Sequence, residues 1–172
     1  MGVSHKRNMS GSIKEFDKDE HDIWDKKGKD AIIKFLVDGL ADKNLTVIEN
    51  PNKYGIDILV LNDKNVVKAG FEVEVRYGNW VGDKKFPFGE INCIERKDYM
   101  WRKDKELYDK IPYKCSSSMI LCYAQLNDLC NRVVIIQGDR ILKYNKVKWS
   151  NRKSNNEYVR QVPLSECIEH KL

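Results

Sequence analysis

Nowhere in the 172 residues does an uninterrupted apolar stretch approach the ~18 residues of a membrane-spanning helix, which excludes that architecture. The N-terminal segment is polar where a secretory signal would carry its apolar stretch, so export by that route is not expected. Met1-Gly2 opens a myristoylation pattern, but Lys6 stands where that pattern requires Ser or Thr. Histidine is scarce, and His5, His21 and His170 show no ligand spacing among themselves or with the cysteines. Those cysteines (Cys93, Cys115, Cys122, Cys130 and Cys167) are odd in number, widely spaced and without a C-x-x-C pair. That pattern argues against structural zinc, redox-dithiol chemistry and a disulfide framework. Reduced thiols in a cytoplasmic, reducing compartment are the expectation.

What the chain does have is a polar globular composition, 41% apolar and 33% charged. Its length suits one domain, which would bury roughly two-thirds of the surface of the unfolded chain. Residues 1–20 are polar and mixed in charge, and are expected to form a loose arm. The single domain is then 21–172, with a core over about 23–124 and a C-terminal β extension over about 125–172. The net charge of +5 is unevenly spread. From Arg140 to Arg160, seven basic residues face one acid, Glu157, and Tyr144, Trp149 and Tyr158 are interleaved among them. A phosphate-tracking surface has that character, with Lys146, Lys148, Arg152 and Lys153 as candidate contacts. A solvated charged face has it too.

Apolar residues recur at helical spacing from Ile23 to Leu40, and Gly39 with the polar residues after it supplies a stop. Three β-branched runs follow, Leu45 to Ile48, Ile56 to Leu61 and Val66 to Arg76, read as an antiparallel meander. A Gly- and aromatic-rich loop, 77–89, leads to a short strand at Ile91 to Ile94. The charged segment Lys97 to Ile111 predicts a second helix ended by Pro112. Strands are expected at Met119 to Ala124, Val133 to Gln137, Ile141 to Tyr144 and around Tyr158 to Val162.

Three acids stand out against this frame. Asp57 lies between Ile56 and Ile58, and alternation sends its side chain to the opposite face from both. Glu72 and Glu74 share one face of the third strand, while Phe71, Val73 and Val75 occupy the other. If Asp63-Lys64 is a two-residue hairpin tip, Asp57 falls opposite Gly70, diagonal to Glu72 and on the same face. Carboxylates so close repel one another, and a hard divalent ion such as Mg²⁺ removes that cost. Alternating Glu on a half-exposed antiparallel strand is the simpler alternative.

The run Gly55-Ile56-Asp57-Ile58-Leu59-Val60, then Phe71-Glu72-Val73-Glu74, preceded by a helix and followed by a helix and a strand, resembles the PD-(D/E)xK nuclease superfamily. The likeness spans about Ile23 to Ala124. It implies an α/β (α+β) fold with a restriction-endonuclease-like core: helix, three-stranded meander, helix, strand. It also implies that Asp57 and Glu72 ligate the metal, with Val73 contributing its carbonyl. Many members add an acid from the first helix. Asp25 shares the stripe of Ile32 and Leu36, whereas Asp30 points away. The family's usual third position is Lys, and here it is Glu74, as in a minority of its restriction enzymes. Either Glu74 itself orients or deprotonates the water, or a basic residue fills the charge role, the candidates being Lys68, Arg96 and Lys97.

The expectation is therefore a Mg²⁺-dependent nuclease, Mn²⁺ able to substitute, that hydrolyses phosphodiesters in DNA, without membrane association and with a homodimer as one way to cut two strands. The alternatives are a catalytically inactive nucleic-acid-binding protein on the same scaffold and a non-enzymatic interaction module.

Overall fold

A computed structural model describes residues 17–151 and 154–172. The first helix, α1 (Lys18–Leu40), begins where Asp17 caps it, the carboxylate accepting the Glu20 amide at 3.1 Å. Asp19 and Glu20 in the first turn suit the positive end of the helix dipole. The helix therefore starts at Lys18 rather than Ile23 and takes in the last part of the expected arm. The rest of that arm, residues 1–16, lies outside the described residues.

β1 (Thr46–Glu49), β2 (Ile58–Leu61) and β3 (Val67–Val75) form the expected antiparallel meander. β5 (Cys115–Leu126) pairs in parallel with β3, and β6 (Arg132–Gln137) and β9 (Ile168–Lys171) continue antiparallel beyond it. The result is one mixed six-stranded sheet, ordered β1-β2-β3-β5-β6-β9, in an α+β molecule. β3, the longest strand of the meander, is central and carries both glutamates.

Helix α1 packs on one face of this sheet. Ile32 is fully buried there with Ile58, Val60, Phe71, Val73, Val75, Ala124 and Leu126. The approach is close enough that a Cβ added to Gly28 would lie 2.6 Å from a Val75 methyl. The opposite face carries Leu59, Leu61, Leu121, Tyr123, Val134 and Ile136. It is covered by a smaller antiparallel sheet, β4-β8-β7, made of β4 (Glu90–Ile94), β7 (Lys146–Asn151) and β8 (Ser154–Pro163). The loop residues Trp80 and Phe86 are buried in this second core, packed edge to face, so the 77–89 loop is largely a structural cover. No described helix is long and apolar enough to cross a membrane.

Three expectations need correction. Lys97 to Ile111 is not one helix but a 3₁₀ turn (Glu95–Lys97), α2 (Asp98–Trp101) and α3 (Lys105–Asp109). The break falls at Lys103, which has φ 56°, followed by an extended Asp104; a left-handed residue cannot continue a right-handed helix. Ile141 to Tyr144 is not a strand. Gly138–Ile141 forms a helical turn, α4, which buries Ile141 completely. Finally, the β2–β3 register is shifted. Asn62 accepts the amides of Lys64 and Val66, Asn65 adopts φ 55°, and the ladder is irregular between Val60 and Leu61. This wider turn pairs Leu59 with Gly70 and Ile58 with Phe71, a two-residue slip that preserves the faces of β3.

Candidate active site

The shifted register, extended by one residue, brings Asp57 level with Glu72 rather than Gly70. Asp57 stands just before β2, where strand geometry has not begun. Ile56 and Ile58 accordingly enter different cores, contrary to the simple alternation expected around Asp57. The backbone there is tied to the end of β1, Asn50 N–H donating to the Asp57 carbonyl at 2.8 Å.

Beyond the end of β2, Val73 has no strand partner on that side. Its amide donates to Asp57 Oδ2 at 2.7 Å, a charge-assisted bond that fixes the carboxylate. An extended residue sends N–H and C=O to the same side of its strand, so the Val73 carbonyl leaves toward Asp57 as well.

Glu72 is buried. One oxygen accepts Lys97 Nζ, and the other, Oε2, has no hydrogen-bond partner. Lys97 reaches it from the 3₁₀ turn that follows β4. Glu74 accepts the hydroxyl of Tyr123, which in turn accepts Gln125 Nε2 at 3.0 Å. Both partners come from the parallel neighbour β5, where Tyr123 pairs with Glu72 and Gln125 with Glu74.

From α1 comes a side chain that the sequence reading did not single out. Lys29 is buried, and its Nζ lies 2.7 Å from Asp25, 3.1 Å from Glu49 and 3.5 Å from Asp57. A signal for it existed: Lys29 follows Asp25 by one helical turn, on the stripe of Ile32 and Leu36, where a lysine has no solvent reason to be.

Asp25, Asp57, Glu72, Val73, Glu74 and Lys97 line a cleft of about 420 Å³, bounded also by His21, Ile94 and Arg96, with Lys29 behind Asp25 and Asp57. Trp24 and Tyr77 form one wall, stacked at 5.2 Å with their planes 4° apart, and Lys27 lies over the Trp24 ring. Smaller clefts beside Phe35 and beside Trp101 hold no comparable set of acids and lysines.

Burial dominates the electrostatics. It pushes the Glu72 carboxyl up to about 7 against the attraction of Lys97, with the Asp57 charge adding to the rise. Burial also raises Asp57, although the Val73 amide and Lys29 pull the other way. For Lys29, burial opposes the charged form, but bonding to Asp25 and the charges of Asp57 and Asp25 outweigh it and hold the ammonium above its ordinary range. Lys97 is likewise raised, burial being outweighed by Glu72 and Glu74. Among the described residues no three His, Cys, Asp or Glu side chains stand grouped so as to hold a metal ion.

Asp57, Glu72, Val73, Glu74, Lys97, Asp25 and Arg96 therefore share one cleft. Lys68 does not: it sits at the bulge between Val67 and Ala69, exposed, with Ser116 Oγ at 3.3 Å. Lys146 pairs with Glu95, and Lys148 is exposed on β7. Arg152 and Lys153 lie outside the described residues. The basic window is less free than its composition implies, since Arg140 pairs with Glu166 and Arg160 with Asp98. No protein-family model matches the chain, and a comparison with curated proteins finds no match.

Proposed function

We propose that the chain is a divalent-metal-dependent nuclease that hydrolyses phosphodiester bonds in DNA, on a restriction-endonuclease-like core of α1, the β1–β3 meander and β5. The observation that carries this reading is the unbonded, buried Oε2 of Glu72 beside Asp57 in an open cleft. A buried acceptor with no partner is costly, and it marks a position made for something else. The surrounding donors are hard oxygens, those of Asp57, Glu72 and the Val73 carbonyl, which suit Mg²⁺ or Mn²⁺. When bound there, the ion would polarise a phosphate and acidify a water.

The chain's own groups supply the rest. Lys97 places a half-buried ammonium on Glu72 where a phosphate oxygen could share it, the charge role left open by Glu74. Glu74 is held through one oxygen by Tyr123; its other oxygen makes no hydrogen bond among the described residues and is available to accept the attacking water's proton. That water's oxygen bonds to phosphorus as the P–O bond opposite it breaks, and the leaving oxygen takes up a proton. Arg96, exposed at the mouth and without an ion pair among the described residues, faces incoming phosphates.

Incubation with supercoiled, linear, branched and single-stranded DNA in Mg²⁺ tests the reading. Cleavage is expected, abolished by EDTA and by Glu72→Gln, and strongly reduced by Lys97→Met. DNA binding with a steep salt dependence but no cutting would replace it with the non-catalytic alternative. Neither binding nor cutting of any form would end it.

A further inference from the structure

We infer that the cleft takes one divalent ion and not two, because Lys29 is a built-in cation that fills the second position. The inference rests on the metal-site part of the preceding reading. Its basis is the contrast between two sets of oxygens around Asp57.

On one side, the Lys29 ammonium meets Asp25 at 2.7 Å, Glu49 at 3.1 Å and Asp57 at 3.5 Å. An ammonium has three N–H donors, and here three carboxylates surround it. Its side chain is only 9% exposed, so the charge belongs to the interior rather than to solvent. A divalent ion drawn to the same carboxylates would have to stand against a fixed positive charge at contact distance. On the other side, Glu72 Oε2 is bare, and the Val73 carbonyl points the same way as the amide that Asp57 binds. Asp57 belongs to both sets: each of its oxygens has one partner, and a carboxylate has about four acceptor positions. Asp57 and Glu72 would thus hold one ion while Lys29 keeps the Asp25 and Glu49 side neutralised.

Calorimetric titration of the full chain with Mn²⁺ alone, checked by the loss of the free-Mn²⁺ paramagnetic signal, reads the stoichiometry without any substrate. One ion per chain is expected, and none in Glu72→Gln. Lys29→Gln, which removes the charge, is expected to bind one ion more than wild type and to gain a larger rise in melting temperature on adding Mn²⁺. Lys29→Arg keeps the charge and should stay at one. Two ions in the wild type or in Lys29→Arg overturn the proposal, as does an unchanged stoichiometry in folded Lys29→Gln. If the wild type binds no Mn²⁺, the nuclease reading falls; a first ion gained by Lys29→Gln would still identify Lys29 as the resident cation.

Discussion

Two lysines, Lys29 buried and Lys97 half-buried, meet the acids of the same cleft in opposite ways. Lys29 has three carboxylates around one ammonium, none with a buried oxygen left unbonded. Lys97 is bonded to a single carboxylate, and that carboxylate keeps its other oxygen bare. The first arrangement is closed and holds α1 against the ends of β1 and β2. The second is open and leaves bonding capacity for a ligand. Identical side chains thus differ in how many carboxylates each one meets.

Breaking the closed half should cost most. Lys29→Met strands Asp57 and frees Asp25 and Glu49 from their common partner; loss of one member of a buried pair costs roughly 3–5 kcal/mol, and the exposure of Glu49 puts this case near the lower figure. Urea unfolding at neutral pH measures it. Lys97→Met should destabilise less, about 1–2 kcal/mol, because Glu72 can take a proton instead of remaining a bare charge. Adding Glu72→Gln to Lys97→Met should recover most of that loss in a double-mutant cycle, while cleavage stays down by roughly a hundredfold or more.

The pH dependence sharpens the contrast. Glu72 has a folded-state value of about 7 against an ordinary 4.5, so the native state holds the extra proton between them. Stability from this group is present at low pH and falls as pH rises through that window. Glu72→Gln should flatten the slope in melting temperature, and Mg²⁺ added above pH 7 should restore stability to the wild type alone. The smallest effects belong to the exposed cations. Arg96→Ala and Lys148→Ala should leave melting unchanged, yet each should lower the salt slope of DNA binding by about 1 if it meets a phosphate.

Much of this site was legible from local pattern. The shared face of Glu72 and Glu74 follows from strand alternation, and Asp25 from helical periodicity. Lys97 was reachable as a basic residue just after a strand. The direct opposition of Asp57 and Glu72 was not, because Asn62 bonds two amides of its own turn and the bulge near Val67 absorbs the difference. Nor could charge counting show that Arg140, Lys146 and Arg160 are engaged by Glu166, Glu95 and Asp98, partners brought near only by the fold. Tyr123 looked like an ordinary strand residue, and Gln125 lay just past the expected strand end at Ala124. Only the parallel pairing of β5 with β3 sets them beside the glutamates.

Gly28 gives the cleft a mechanical tolerance. It directly precedes Lys29 and sits where even a methyl group would meet Val75 at 2.6 Å. The seating of α1 just before Lys29 therefore depends on the absence of a side chain at position 28, where the helix lies directly on β3. A wedge inserted there, such as Gly28→Ala, would retune the cleft's charge balance without touching one of its polar atoms, making α1 a calibrated spacer as well as a cover.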